Sequence, residues 1–132
     1  MEISDNLDVF DIEFCCDISL LCNGFLFDGM PHSEFILFLN AHKGAKATVT
    51  SGKKALVCNF VNRIVKYILS PTMILPWKKA FLKSCGISYE TYNKHAGDPI
   101  NSKENTEFLE KLEEIQQKYD ERRNPKKSES ES

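Results

Sequence analysis

From Phe10 to Cys22 every even position is apolar: Phe10, Ile12, Phe14, Cys16, Ile18, Leu20 and Cys22, with Asp11, Glu13, Asp17 and Ser19 among the odd ones. Strict alternation is the mark of a half-buried strand, because successive side chains leave a strand on opposite faces. The run ends at Asn23-Gly24 and is followed by Phe25-Leu26-Phe27, so it predicts a strand and β-hairpin. A helix competes with that reading, since Leu7, Phe10, Phe14, Ile18 and Leu21 also fall on one helical face.

After the hairpin the period becomes helical. Pro31 to His42 predicts a short helix with Ser33 as N-cap and Phe35, Ile36, Phe38 and Leu39 buried. Lys43 to Lys54, rich in Gly, Ala, Thr, Ser and Lys, predicts a mobile basic loop. Leu56, Val57, Phe60, Val61, Ile64, Val65, Ile68 and Leu69 then give a broad apolar helical face, opposed by Asn59, Asn62, Arg63, Lys66 and Ser70, and Ser70-Pro71 stops it. Pro76 suits the first turn of a helix through Trp77, Phe81, Leu82 and Cys85 that ends at Gly86. Ser88 can cap a further helix, Tyr89 to His95, before Gly97 and Pro99. The last helix begins near Asn101, with Glu104 placed for a capping box, and carries Phe108, Leu112, Ile115 and Tyr119 at 4-3-4 spacing. That seam is too short for a stable isolated coiled coil.

These elements predict a mainly α member of the α+β class. An N-terminal β-hairpin within residues 1–30 covers a small helical bundle, whose basic part is 43–95, in a globular unit 1–100. A C-terminal amphipathic helix, 101–123, and a disordered polar tail, 124–132, follow. With 132 residues the chain is one domain plus trimmings. Its 42% hydrophobic content and nine phenylalanines argue against disorder.

Charge changes the picture most. Residues 1–39 carry eight acidic side chains and no Lys or Arg, whereas residues 43–94 carry ten basic side chains against one acid, Glu90. The formal net charge of −2 therefore hides blocks of opposite sign, which a polyanion or a charged partner can read. The alternative is that the two blocks face each other and neutralise. In the basic block, Lys43, Lys46, Lys53 and Lys54 fall in the loop, Arg63 and Lys66 on the polar stripe, and Lys78, Lys79 and Lys83 on the Trp77 helix. Lys79 and Lys83 are like charges at i, i+4, which cost roughly 0.2–0.5 kcal/mol per pair. With one arginine in the block, it suits phosphates better than guanine readout.

The segment Phe81-Leu-Lys-Ser-Cys-Gly-Ile-Ser-Tyr-Glu-Thr-Tyr-Asn-Lys-His95 looks like a helix-turn-helix, where a glycine makes the turn and the second helix reads a major groove. The likeness places Ser88, Tyr89, Thr91, Asn93 and Lys94 towards DNA and has Ile87 and Tyr92 hold the helix to the core. Leu82 stands where such motifs have a small residue, and an ordinary αα-corner is the alternative. Upstream, Ser51-Gly-Lys-Lys-Ala-Leu56, then Val61, Ile64, Tyr67-Ile-Leu69, Trp77 and Cys85, is similar to the middle of BEN domains. This resemblance covers residues 51–85 and departs at Val57-Cys58, where the family has Asp-Pro. BEN domains are all-helical modules of chromatin and DNA-virus proteins, so it implies DNA binding and leaves a β-hairpin without a place.

Other chemistry is poorly represented. The five cysteines, Cys15, Cys16, Cys22, Cys58 and Cys85, are odd in number and lie in apolar patterns, which predicts reduced buried thiols and an intracellular setting. No Cys-x-x-Cys pair or His at ligand spacing predicts a metal, and no phosphate loop or paired nucleophile predicts catalysis or a cofactor. The acidic N-terminus reads neither as a signal peptide nor as a mitochondrial presequence, and no run reaches membrane-spanning length. Arg122-Arg123-Asn-Pro-Lys-Lys127 can serve as a nuclear import signal, and taken alone it reads more simply as a charged tail after a helix.

The expected function is non-enzymatic binding of duplex DNA by a chromatin, transcriptional or viral regulatory factor. The alternative is a protein-interaction module that binds a partner or a second copy through the acidic N-terminal surface or the seam Phe108, Leu112, Ile115 and Tyr119. Neither reading calls for a membrane or a small-molecule substrate.

Overall fold

The alternating stretch folds as a helix, not a strand. In this computed structural model, which describes residues 9–123, helix α1 spans Ile12–Cys22. Its buried residues are Phe14, Cys15, Ile18, Ser19 and Cys22, a 3.6-residue rhythm. Ile12 and Leu20, which alternation would bury, are 52% and 81% exposed. The expected hairpin is therefore corrected. A hairpin standing alone is marginal in water, whereas a helix satisfies its own backbone and still delivers five side chains to the core. Asn23-Gly24 ends α1, with Gly24 in the left-handed region at φ +86°, so a dipeptide that signals a β-turn serves here as a helix terminus.

Five more helices follow: α2 His32–Leu39, α3 Lys54–Ile64, α4 Ile74–Ser84, α5 Tyr89–His95 and α6 Lys103–Arg123. Single 3-10 turns at Val65–Tyr67 and Pro71–Met73 join α3 to α4, so α3 tightens and ends before Ser70. Among the described residues there is no strand, only isolated bridges between Asn23 and Phe27 and between Phe27 and Val49. The fold is all-α, not α+β. Pro31, not Ser33, occupies the N-cap position of α2. The loop after α2 is pinned at its far end, where Asp28 N–H donates to Thr48 O and Thr50 N–H to Leu26 O. The polar tail 124–132 and Leu7 lie outside the described residues.

The core is a chain of aromatic rings. Phe14 stacks on Phe10 and Tyr67, Phe10 meets Trp77 edge-on, Trp77 stacks on Phe81 at 4.8 Å, and Phe81 continues to Phe38 and Phe27. Such pairs add roughly 0.5–1.5 kcal/mol beyond the area they bury. Asn40, at the end of α2, knots the layers together. Its Oδ1 accepts from Val9 N–H at 2.8 Å and Phe10 N–H at 3.2 Å, while its Nδ2 donates to Ile36 O at 2.9 Å. Trp77 Nε1–H donates to Leu39 O at 2.8 Å beside it. Helix α6 packs along α1 and α3, with Phe108, Leu112 and Tyr119 buried.

Candidate nucleic-acid interface

Helices α4 and α5 meet at a turn built as the sequence predicts. Gly86 takes φ +74°, where any other residue is strained. Ser88 caps α5: its Oγ accepts from Thr91 N–H at 3.1 Å and donates to Thr91 Oγ1 at 2.9 Å. Leu82, Ile87 and Tyr92 are buried and hold the corner to the core. Outward from it, Ser88, Glu90, Asn93 and Lys94 are exposed, and Tyr89 and Thr91 half-buried. Ser88 is thus spent on its own helix, which leaves Asn93 and Lys94 as the free polar groups of the expected reading face.

Between the two helices lies an open groove of about 420 Å³ lined by Lys79, Leu82, Lys83, Gly86, Ile87, Ser88 and Tyr89. Lysine and tyrosine are interleaved there. The Lys78 ammonium sits 5.1 Å from the Tyr92 ring centre and 5.8 Å from that of Tyr89, and Lys79 approaches Tyr89 at the same 5.8 Å. Burial pushes the Tyr92 hydroxyl up from its ordinary value, opposed by the nearby Lys78 charge. A second hollow, about 470 Å³, holds Lys43 and Lys46 together with His42 and Glu34.

The basic block divides sharply by environment. Lys53 is buried: its ammonium bonds Glu104 and Asn105 Oδ1 and lies 4.4 Å from the Phe25 ring centre. It is a structural residue, which corrects its expected place on a DNA-binding loop. Arg63 donates from Nε to Asn59 Oδ1 at 2.7 Å, and Lys66 stands 3.8 Å from Asp120. By contrast Lys43, Lys46, Lys54, Lys79, Lys83 and Lys94 are exposed, and among the described residues none has a carboxylate within ion-pair distance.

The acidic block finds its described partners on α6, not in the basic stretch. Lys118 Nζ bonds Asp17 at 2.9 Å, Tyr119 Oη donates to the same carboxylate at 2.7 Å, and Arg122 bonds Glu13. Partial burial would raise the Asp17 carboxyl, but the bonds from Lys118 and Tyr119 and the charges of Lys118 and Arg122 outweigh it and hold the group below its ordinary value. The proposed partner seam is consumed in the same packing. Phe108, Leu112 and Tyr119 face the core, with Phe108 stacked on Phe25 at 5.3 Å and Tyr119 edge-on to Phe14, and Ile115 is half-buried.

Cys15, Cys22, Cys58 and Cys85 are buried and Cys16 is half-buried, none of them in a disulfide among the described residues. Burial raises the Cys22, Cys58 and Cys85 thiols above their ordinary range, which leaves little thiolate at neutral pH. Among the described residues no group of three His, Cys, Asp or Glu side chains is arranged to hold a metal ion. His95 Nδ1 and Asp98 are paired at 2.6 Å at the C-terminal end of α5.

Lys78 was legible as a charge but not as a neighbour of two tyrosines, and the bonds of Asn40 to Val9 and Phe10 carry no sequence signal beyond a helix-end position. Comparison with family models, with curated proteins and with solved structures finds no match.

Proposed function

We propose that this protein binds DNA without catalysing a reaction, neutralising phosphates with the exposed lysines of residues 43–94. The observation that carries the reading is the α4–α5 corner: Lys79 and Lys83 line an open groove with Ser88 and Tyr89, exposed and without a carboxylate partner among the described residues. Lysines kept together at i, i+4 despite their repulsion, on a rigid helix, are poised to take successive phosphates. Readout of base edges falls to Asn93, which can pair with adenine, while Lys94 serves the backbone.

The likeness of residues 51–85 to BEN domains supports the same reading, and an all-helical fold removes the hairpin that had no place in that family. A chromatin, transcriptional or viral regulatory factor working in the nucleus fits such a module. The competing reading, a protein-interaction surface, has less support, because its seam is packed inside and Glu13 and Asp17 are engaged by α6.

The test is fluorescence anisotropy on labelled duplex DNA at low salt. Lys79→Ala with Lys83→Ala should weaken binding roughly ten-fold or more on every sequence, since phosphate contacts carry no sequence information. Lys53→Ala should leave affinity unchanged. Equal, small effects of both changes would remove the groove from the interface.

A further inference from the structure

Phosphate neutralisation alone does not account for the walls of the α4–α5 groove. A site for a duplex backbone needs only donors and positive charge, yet here the lysines stand beside the half-buried Tyr89 ring, above Leu82 and Ile87, which line the groove but are themselves almost wholly buried. The volume of about 420 Å³ falls within the ~300–1,000 Å³ typical of small-molecule sites, and a duplex, whose bases are stacked inward, presents nothing apolar and flat to fill it.

We propose that this groove takes one unpaired nucleobase, stacked against Tyr89 over the Leu82–Ile87 floor, with the flanking phosphates on Lys79 and Lys83. The protein then binds single-stranded nucleic acid here in preference to a closed duplex of the same length. The inference rests on the nucleic-acid reading above and sharpens it to a form of the polymer. An aromatic ring beside lysines is the combination that single-strand binders use: the ring accepts any base face and the ammoniums follow the backbone. The Lys78 and Lys79 ammoniums each lie over the Tyr89 ring, 5.8 Å from its centre, so a base that stacks there displaces a lysine towards the flanking phosphate. The site is indifferent to base identity. Its neutral polar groups are the Ser88 hydroxyl, which is committed to Thr91, and the Tyr89 hydroxyl on the stacking ring itself.

The experiment is anisotropy of the full chain with labelled oligothymidylate, oligouridylate and a duplex of equal length, at one salt concentration. The expected result is binding to all three, with at least one of the single strands held roughly ten-fold tighter than the duplex; thymidylate against uridylate then tells DNA from RNA as the source of the strand. Tyr89→Ala should abolish that preference while duplex binding persists, and Tyr89→Phe, which keeps the ring, should retain it. Thermal melting of each variant reads out folding separately. Equal affinity of wild-type protein for strand and duplex would overturn the groove proposal and leave the DNA-binding reading standing, as would a Tyr89→Ala protein that keeps the preference. Binding to none of the three probes would overturn both.

Discussion

At the scale of single residues, two polar side chains do structural work that their types conceal. Asn40 serves two backbone N–H groups and one carbonyl from a buried position. Asn40→Ala leaves Val9 N–H, Phe10 N–H and Ile36 O without that partner, and should cost about 2–3 kcal/mol in urea unfolding. Lys53 is the second. With its partner Glu104 still largely in water, Lys53→Ala should cost a smaller amount, about 1 kcal/mol, mostly through the lost bond to Asn105 and the lost cation–π contact of the ammonium with Phe25. Neither role was legible in the sequence. An asparagine after a helix reads as a cap, and a lysine in the run Ser51-Gly-Lys-Lys54 reads as solvated. What decides both is a partner far along the chain, 30 residues away for the Asn40–Phe10 bond and 51 for the Lys53–Glu104 pair.

At the scale of elements, α1 shows where periodicity misleads. Its apolar residues satisfy both a two-residue and a 3.6-residue period, and the choice between them lies in whether a partner strand exists. Phe25-Leu26-Phe27 is too short to be one and pairs with residues 48–50 instead. The helix makes a sharp prediction. Leu20→Lys should change stability by no more than about 0.5 kcal/mol, while Cys15→Lys, placing a charge in the core, should cost about 3 kcal/mol or more. A strand would exchange the two outcomes, so thermal melting of the pair checks the assignment. By contrast α4, the Gly86 turn and α5 were readable, because a Pro near the start, a Gly at the turn and a Ser cap each act locally.

The clasp between α1 and α6 belongs to the same scale and sets a pH dependence. The Asp17 carboxyl lies below its ordinary 3.8 in the folded chain because Lys118 and Tyr119 bond its charged form. A lowered folded value means that the stabilisation is full above the unfolded value and is lost as pH falls through the folded one. Asp17 and Lys118 are both partly solvated, so the contribution is about 1 kcal/mol after screening. Asp17→Asn should therefore lower Tm at neutral pH, and its deficit against wild type should begin to shrink as pH falls through about 3.8 and vanish only below the lower folded value, where Asp17 protonates. A deficit independent of pH would mean that the carboxylate's charge is not what holds α6.

Over the whole molecule, the blocks of charge were plain in the sequence but their pairing was not. The acids of α1 and the bases Lys53 and Lys66 all find partners on α6, a mixed-charge helix that reads as neutral on its own. This leaves Lys43, Lys46, Lys54, Lys79, Lys83 and Lys94 exposed, without ion pairs among the described residues. The resemblance to a helix-turn-helix located the corner, whereas the groove beside it depends on how Leu82 and Ile87 pack and could not be read from spacing. The central claim is that these lysines meet phosphates, and counterion release tests it most directly. With four to six of them in contact, log K for duplex DNA should fall linearly with log[salt] at a slope of roughly −4 to −5. A slope near zero, or no binding at low salt, would contradict it.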